Sequence, residues 1–207
     1  MTDYETAIKR PVQDIKKLAI GCVLNVVPVV NFIVTGYILK AAKKTMKKRN
    51  DLPEWNAWGD LFMTGLLAIG IVLIYSLPGL ALLFAGFGAM VFGVIAGGAS
   101  VNMSMALAGG TIMIAVTLLL LVSAMFVAPM AVMHYIDKGD FSAAFAIKSV
   151  FKKSVTADYG VAWVVMLIYG SAIMYISMMV PYVGIAIGGY IIGLTAVTVF
   201  AGVYSKR

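Results

Sequence analysis

A chain of 207 residues that is 62% hydrophobic and only 12% charged, with a mean hydropathy of +0.98, does not read as a water-soluble domain, which carries about twice that charge. Its net charge of +7 lies beside apolar runs and comes with no nucleic-acid motif, so nucleic acid is rejected as a partner. Cys22 is the single cysteine, which excludes an intrachain disulfide framework.

The charges are segregated. All 16 Lys and Arg fall within residues 1–17, 40–60, 137–158 and 206–207, and all nine acids fall within the first three of these patches. Between them lie uncharged blocks at 18–39, 61–136 and 159–205. A bilayer core takes about 20 apolar residues per helix and penalises charge, so this pattern predicts an all-α, polytopic transmembrane bundle.

Residues 1–17 place Tyr4, Ile8, Val12 and Ile15 at roughly helical spacing, with Lys9, Arg10, Lys16 and Lys17 on the polar side and Pro11 interrupting. The expectation is an interfacial arm on the charged face, with a disordered tail as the alternative. The opening MTDYETA is acidic, and no cleavable signal is expected.

The block 18–39 is long enough for one span, yet both its flanks are basic and the positive-inside rule wants both in the cytoplasm. Asn25, Pro28 and Asn31 sit at its middle, where a re-entrant hairpin would turn. Two readings stand: a broken, re-entrant element, or a single span with the N-terminus outside. The first is preferred, because the second puts outside a patch holding four basic and three acidic residues.

Residues 40–60 carry Lys40, Lys43, Lys44, Lys47, Lys48 and Arg49, expected to extend a helix beyond the bilayer until Asn50-Asp51. Pro53 and Glu54 suit the first turn of a new helix, placing Trp55, Trp58 and Phe62 on one face along the interface. The block 61–136 predicts two long helices, about 61–93 and 103–135, with Pro78 inside the first and 97–102 as the external turn. Four short helices are the alternative. Residues 138–158 predict a second amphipathic elbow, with Asp140 as a cap and Ala143, Ala144, Ile147, Val150 and Phe151 on one side. Two spans, 159–179 and 183–204, turn at Pro181-Tyr182 and complete about four full spans. The chain therefore divides into an arm, 1–17, and one transmembrane domain, 18–207. A weak internal repeat relates 28–98 to 129–207, with Tyr37-Ile38-Leu39-Lys40 echoed by Tyr135-Ile136-Asp137-Lys138.

The stretch LPEWNAWGDLFMTGL at 52–66, preceded by Gly36-Tyr37, and the stretch FSAAFAIKSVF at 141–151 are informative together. In order and spacing they resemble a prokaryotic membrane family, domain-of-unknown-function family 4013. The resemblance covers nearly the whole chain, and the first stretch is the more specific. It implies a compact multi-span protein of a prokaryotic cytoplasmic membrane and supplies no activity, substrate or catalytic residue.

Candidate chemistry is sparse. The cluster Lys40–Arg49 suits either anionic headgroups, at about 1 kcal/mol per cation, or simple topogenesis. Gly184, Gly188, Gly189 and Gly193 form two GxxxG patterns on the last span, a helix-packing seam between protomers or within one. Asn25 and Asn31 could line a polar path if the first block is re-entrant, and otherwise bond between helices. His134 stands beside Met130 and Met133, but the chain's 14 Met follow no ligand motif, so a polar contact is expected and no metal or cofactor. No nucleophile–base set or phosphate loop is recognisable, so the protein is read as non-enzymatic. The expected function is a membrane subunit or scaffold that self-associates or contacts anionic lipid or partner membrane proteins, with a small-solute or ion transporter as the alternative. Charged loops and C-terminus are expected in the cytoplasm of a multi-pass cell-membrane protein.

Overall fold

The structure, a computed structural model, describes residues 4–97, 103–180 and 183–206. These form α1 (Tyr4–Lys9), a 3-10 turn (Arg10–Val12), α2 (Ile15–Val26), α3 (Asn31–Met46), α4 (Trp58–Gly97) and α5 (Met103–Lys138). A second 3-10 turn (Phe141–Phe145), α6 (Ile147–Ser154), α7 (Ala157–Ser177) and α8 (Val183–Ser205) follow. Among the described residues there is no strand. Stretches within α4, α5, α7 and α8 are long and apolar enough to cross a membrane, so the four full spans are as predicted. Of the predicted turn at 97–102, Gly97 is the last residue of α4 and 98–102 lie outside the described residues, as does the predicted turn at Pro181-Tyr182.

The chain forms two compact units, Met1–Ile71 with Pro129–Arg207, and Val72–Ala128. In the second, segments of α4 and α5 run antiparallel: a Cβ on Gly79 would meet the Leu121 side chain, and one on Gly86 the Met113 side chain. Pro78 lies inside α4 without ending it. The outward side chains, Phe84, Phe87 and Leu119 among them, are apolar and exposed, as lipid-facing residues are.

The first unit is built around α8. Half of its apolar stretch is buried in protein, against 11–17% for the other three spans. It packs on α1, α2, α3 and α7, and its Tyr190 and Leu194 join Val34, Tyr37, Ile38 and Ala41 of α3, with Leu52 and Leu61, in the core.

The first apolar block is a helical hairpin. Asp14 caps α2 by accepting from the backbone N–H groups of Lys16 and Lys17, at 3.0 and 3.1 Å. The chain turns at residues 27–30, where Val29 has φ +71°, a left-handed conformation unfavourable for a β-branched residue. It returns as α3, so that Arg10, just before α2, bonds Ala41 and Thr45 near the end of α3. Both charged flanks therefore lie at one end, as the re-entrant reading requires.

Where α3 crosses α4, the two backbones touch. A Cβ on Gly36 would overlap the Leu61 carbonyl, and one on Gly65 the Phe32 carbonyl. Phe32 and Phe62 pack edge to face beside this crossing, with centroids 5.6 Å apart. α3 ends in a Schellman pair: Lys48 N–H donates to Thr45 O at 2.8 Å and Arg49 N–H to Lys44 O at 2.9 Å, with Lys48 at φ +58°.

Three local expectations are corrected. No helix starts at Pro53: residues 50–57 are an irregular loop, Leu52 and Pro53 are buried, and α4 begins at Trp58. The arm is helical from Tyr4, and its faces are inverted: Ile8, Val12 and Ile15 point outward while Ala7, Arg10 and Pro11 are buried. The second elbow breaks at Ala146 (φ −71°, ψ +67°), which rotates Ile147 and Phe151 away from buried Val150.

Candidate functional site

The basic cluster divides into cations that fold the loop and cations that are free. Lys44 pairs with Asp51 and donates to Leu52 O at 3.2 Å. Arg49 reaches Asp51 Oδ1 at 3.2 Å, and Lys40 reaches Asn56 Oδ1 at 3.0 Å. The Lys44 hydrogen bond, helped by Arg49, holds the exposed Asp51 carboxyl down at about 2. Lys43, Lys47 and Lys48 are exposed and have no side-chain partner among the described residues. Lys43 and Lys47 are four apart, so both project from one side of α3 near its end.

Both basic elbows gather at the C-terminal end of α8. Arg10 joins Thr45 and Ala41 of α3 to Thr198. Six residues on, about 9 Å along the helix, Tyr204 O accepts from Lys153 Nζ at 2.8 Å. Lys206 then pairs with Asp158 at 2.8 Å. The second elbow starts with Asp140, which caps its 3-10 turn through Ser142 N–H at 3.1 Å; these Ser142 bonds hold its carboxyl below the usual range.

α6 shows two faces. Val150 and Ser154 are buried against the unit, while Ile147, Phe151 and Val155, four residues apart in turn, are 57–70% exposed. Lys148 and Lys152 are exposed beside that apolar row. A short helix with an outward apolar ridge and flanking lysines matches a bilayer interface. The predicted interface aromatics form a stack: Trp55 lies on Tyr37 at 3.8 Å and Trp58 is 6.0 Å from Trp55. Trp55 and Trp58 thus line up through stacking across a loop rather than on one helix face.

His134 makes the polar contact expected of it. Tyr204 Oη donates to Asp137 Oδ2 at 3.1 Å, and His134 Nδ1 is 2.7 Å from Tyr204 Oη. A hydroxyl has one proton, so His134 Nδ1 carries the hydrogen of its own bond. Lys153 lies 3.6 Å from the Tyr204 ring centroid, a cation–π contact that closes the cluster. Met130 and Met133 are buried packing residues.

The other predicted residues separate. Asn25 Nδ2 donates to Ala186 O of α8 at 2.9 Å, an interhelical bond, whereas Asn31 opens α3 and its carbonyl accepts from Thr35 at 3.1 Å. A Cβ on Gly184 or Gly188 would strike Ser177 of α7. Gly189 and Gly193 abut Asn25 and Ile38. All four glycines are thus used within the chain.

Sequence reasoning missed Arg10 and the Gly36–Gly65 crossing. Arg10 is fully buried, and it donates to Thr198 at 3.0 Å, Ala41 O at 3.2 Å and Asp51 O at 3.3 Å, and also to Thr45. Burial pushes its pKa below the usual guanidinium value, nearby Asp51 opposing, and the guanidinium stays charged. Neither glycine belongs to a GxxxG pair. The only signal was their presence within and just before the 52–66 stretch.

Residues 20–182 match the model of a family described as protein of unknown function (DUF4013). No curated protein and no solved structure matches the chain.

Proposed function

We propose that this chain, which belongs to the family described as protein of unknown function (DUF4013), is a non-enzymatic membrane subunit or scaffold whose basic face holds anionic phospholipid headgroups. The observation that carries the reading is α6, which turns Ile147, Phe151 and Val155 outward beside Lys148 and Lys152. Lys43, Lys47 and Lys48 stand free at the same end of α8. Five cations without a side-chain partner among the described residues, two of them (Lys148 and Lys152) beside an apolar ridge, at about 1 kcal/mol each near an anionic surface, make a headgroup-binding rim. The positive-inside rule puts this rim in the cytoplasm of a cell membrane. The acids of the face support a non-catalytic role. Asp51 serves Lys44 and Arg49, Asp137 serves Tyr204, Asp140 serves Ser142, Asp158 serves Lys206 and Glu54 serves Lys17.

Native mass spectrometry after reconstitution in mixed phosphatidylglycerol and phosphatidylcholine tests this. Preferential retention of the anionic lipid is expected, and its loss when Lys43, Lys47, Lys48, Lys148 and Lys152 are changed to Gln. Equal retention of both lipids would refute it. The same spectra report self-association or a membrane-protein partner.

The broken α2–α3 hairpin favours a second reading, a small-solute or ion transporter, since transporters build sites at helix breaks. Liposome flux lost on changing Asn31→Leu would support it, and no flux across a broad solute panel would reject it.

A further inference from the structure

Two short elements of the first unit turn an apolar row outward. On the arm, Ile8, Val12 and Ile15 follow at i, i+4 and i+7 and are 47–76% exposed. On α6 and its cap, Ile147, Phe151 and Val155 follow at i, i+4 and i+8. The opposite side of each element is fixed in protein. Ala7, Arg10 and Pro11 of the arm are buried, and Arg10 donates to Thr198 of α8 at 3.0 Å and to Ala41 O of α3 at 3.2 Å. Val150 and Ser154 of α6 are buried, and Lys153 donates to Tyr204 O of α8 at 2.8 Å.

Thr198 and Tyr204 are about 9 Å apart along α8, so both rows are mounted at one end of the first unit. Neither element is long enough to cross a bilayer: α6 has eight residues, and a span takes about 20. Each row is flanked by exposed cations, Lys148 and Lys152 on α6, which holds no acid, and Lys16 beside Ile15 on the arm. A short basic helix with an outward apolar row lies in the plane of an anionic phospholipid surface. It sinks that row about 5–10 Å, to the boundary of headgroups and acyl chains.

The consequence is geometric. A span displaces lipid from both leaflets alike, whereas these two rows displace it from one leaflet only, at headgroup depth. Both elements are already folded and docked, so insertion orders nothing new. Bending that leaflet convex spreads its headgroups and opens room for the rows; bending it concave closes the room. We propose that the arm and α6 form a one-sided wedge whose ligand is the anionic phospholipid leaflet on the basic side, in its convex form. The proposal rests on the reading that the basic rim lies at the headgroups, and it adds a preference set by apolar volume rather than by charge.

The test is sorting of the full chain between giant vesicles of mixed phosphatidylglycerol and phosphatidylcholine and nanotubes drawn from them. Asn50→Cys in a Cys22→Ala background is labelled after reconstitution with an impermeant fluorescent maleimide. Asn50 is exposed next to Arg49, so only copies with the basic rim outward are seen. Those copies should be about threefold denser on the convex tube than on the parent vesicle, a difference of about 0.6 kcal/mol. Equal density on both would overturn the proposal. Changing Ile147, Phe151 and Val155 to Ser, or Ile8, Val12 and Ile15 to Ser, should each lower the enrichment, and the two sets together should abolish it. Enrichment unchanged by both sets together overturns the wedge. If these variants do not fold, Ile15→Ser with Ile147→Ser, the most exposed member of each row, decides by the same readout. Phosphatidylglycerol retention in native mass spectra is read on the same proteins and should persist in the Ser variants, which keep every lysine. Retention without sorting rejects the wedge and leaves the headgroup rim standing; sorting without retention supports the wedge and rejects the headgroup selectivity.

Discussion

The α3–α4 crossing offers the sharpest single-atom perturbation. Gly36→Ala adds one methyl group where a Cβ would fall inside the Leu61 carbonyl, far under the 3.0 Å that real Cβ atoms keep. What it meets is backbone, so no rotamer change relieves the overlap and the two helices must part. Overpacking costs about 1–3 kcal/mol where side chains can give way. With none to give, and with the Tyr37–Trp55 stack next in sequence, about 3 kcal/mol is expected for Gly36→Ala. That corresponds to a midpoint roughly 10 °C lower for a chain of this size. Gly65→Ala strains the same crossing through Phe32 O and Gly36 N. Once the helices have parted for one methyl the second is nearly accommodated, so the double variant should cost clearly less than the sum. Gly70→Ala in α4 is the control: nothing lies within 4 Å of its added Cβ, and helix propensity favours Ala by about 1 kcal/mol. Trp55 fluorescence during thermal unfolding in detergent reads all four proteins. A Gly36→Ala midpoint equal to that of Gly70→Ala would refute the backbone contact.

Further outcomes can be checked separately. Val29→Gly should stabilise the hairpin by about 1 kcal/mol, because Val29 holds a left-handed φ that glycine adopts freely; a lower unfolding midpoint would count against the turn. In a Cys22→Ala background, cysteines at Gln13 and Asn50, which flank the hairpin, should react with an impermeant maleimide from the same side of the membrane. Labelling from opposite sides would make 18–39 a single span. The Asp51 carboxyl should titrate at about 2 rather than 3.8 by carboxyl-carbon NMR. Its pKa is depressed on folding, so its contribution is fully present above 3.8 and is lost as pH falls through 2; titration near 3.8 would show that Lys44 and Arg49 do not hold it. Tyr204→Phe should leave His134 and Asp137 without their shared partner and lower stability by about 1–2 kcal/mol, read as a shifted unfolding midpoint. An unchanged midpoint would place this triad outside the folded core's energetics.

Much of this architecture was legible in the chain. Charge segregation and block length mark the four spans, and Asn25, Pro28 and Asn31 mark the break that becomes the α2–α3 hairpin. What failed has a common physical cause. In water an apolar stripe points to the core, but at a bilayer the outside is apolar too. The row of Ile8, Val12 and Ile15 therefore faces outward while Arg10 turns in, and Ile147 and Phe151 do the same on α6. Pro53 and Glu54 resemble a helix start, yet burial of Leu52 and stacking of Trp55 on Tyr37 hold that stretch as an irregular loop. Of the basic cluster, the sequence shows the charge but not the division between Lys44 and Arg49, bound to Asp51, and the free Lys43, Lys47 and Lys48. The glycine pattern on α8 was visible as a repeat, while Gly36 and Gly65, one on each helix, have no spacing to betray them.

The long reach of Arg10 bears on how the protein is made. Thr198, which accepts one of its hydrogen bonds, is 188 residues further along the chain. At a synthesis rate of about 5–20 residues per second, that partner emerges roughly 10–40 s after the arginine does. Throughout that interval the N-terminal arm has no α8 to dock on. Closing the arm is therefore a late event of biogenesis. It happens only when α8 is in place.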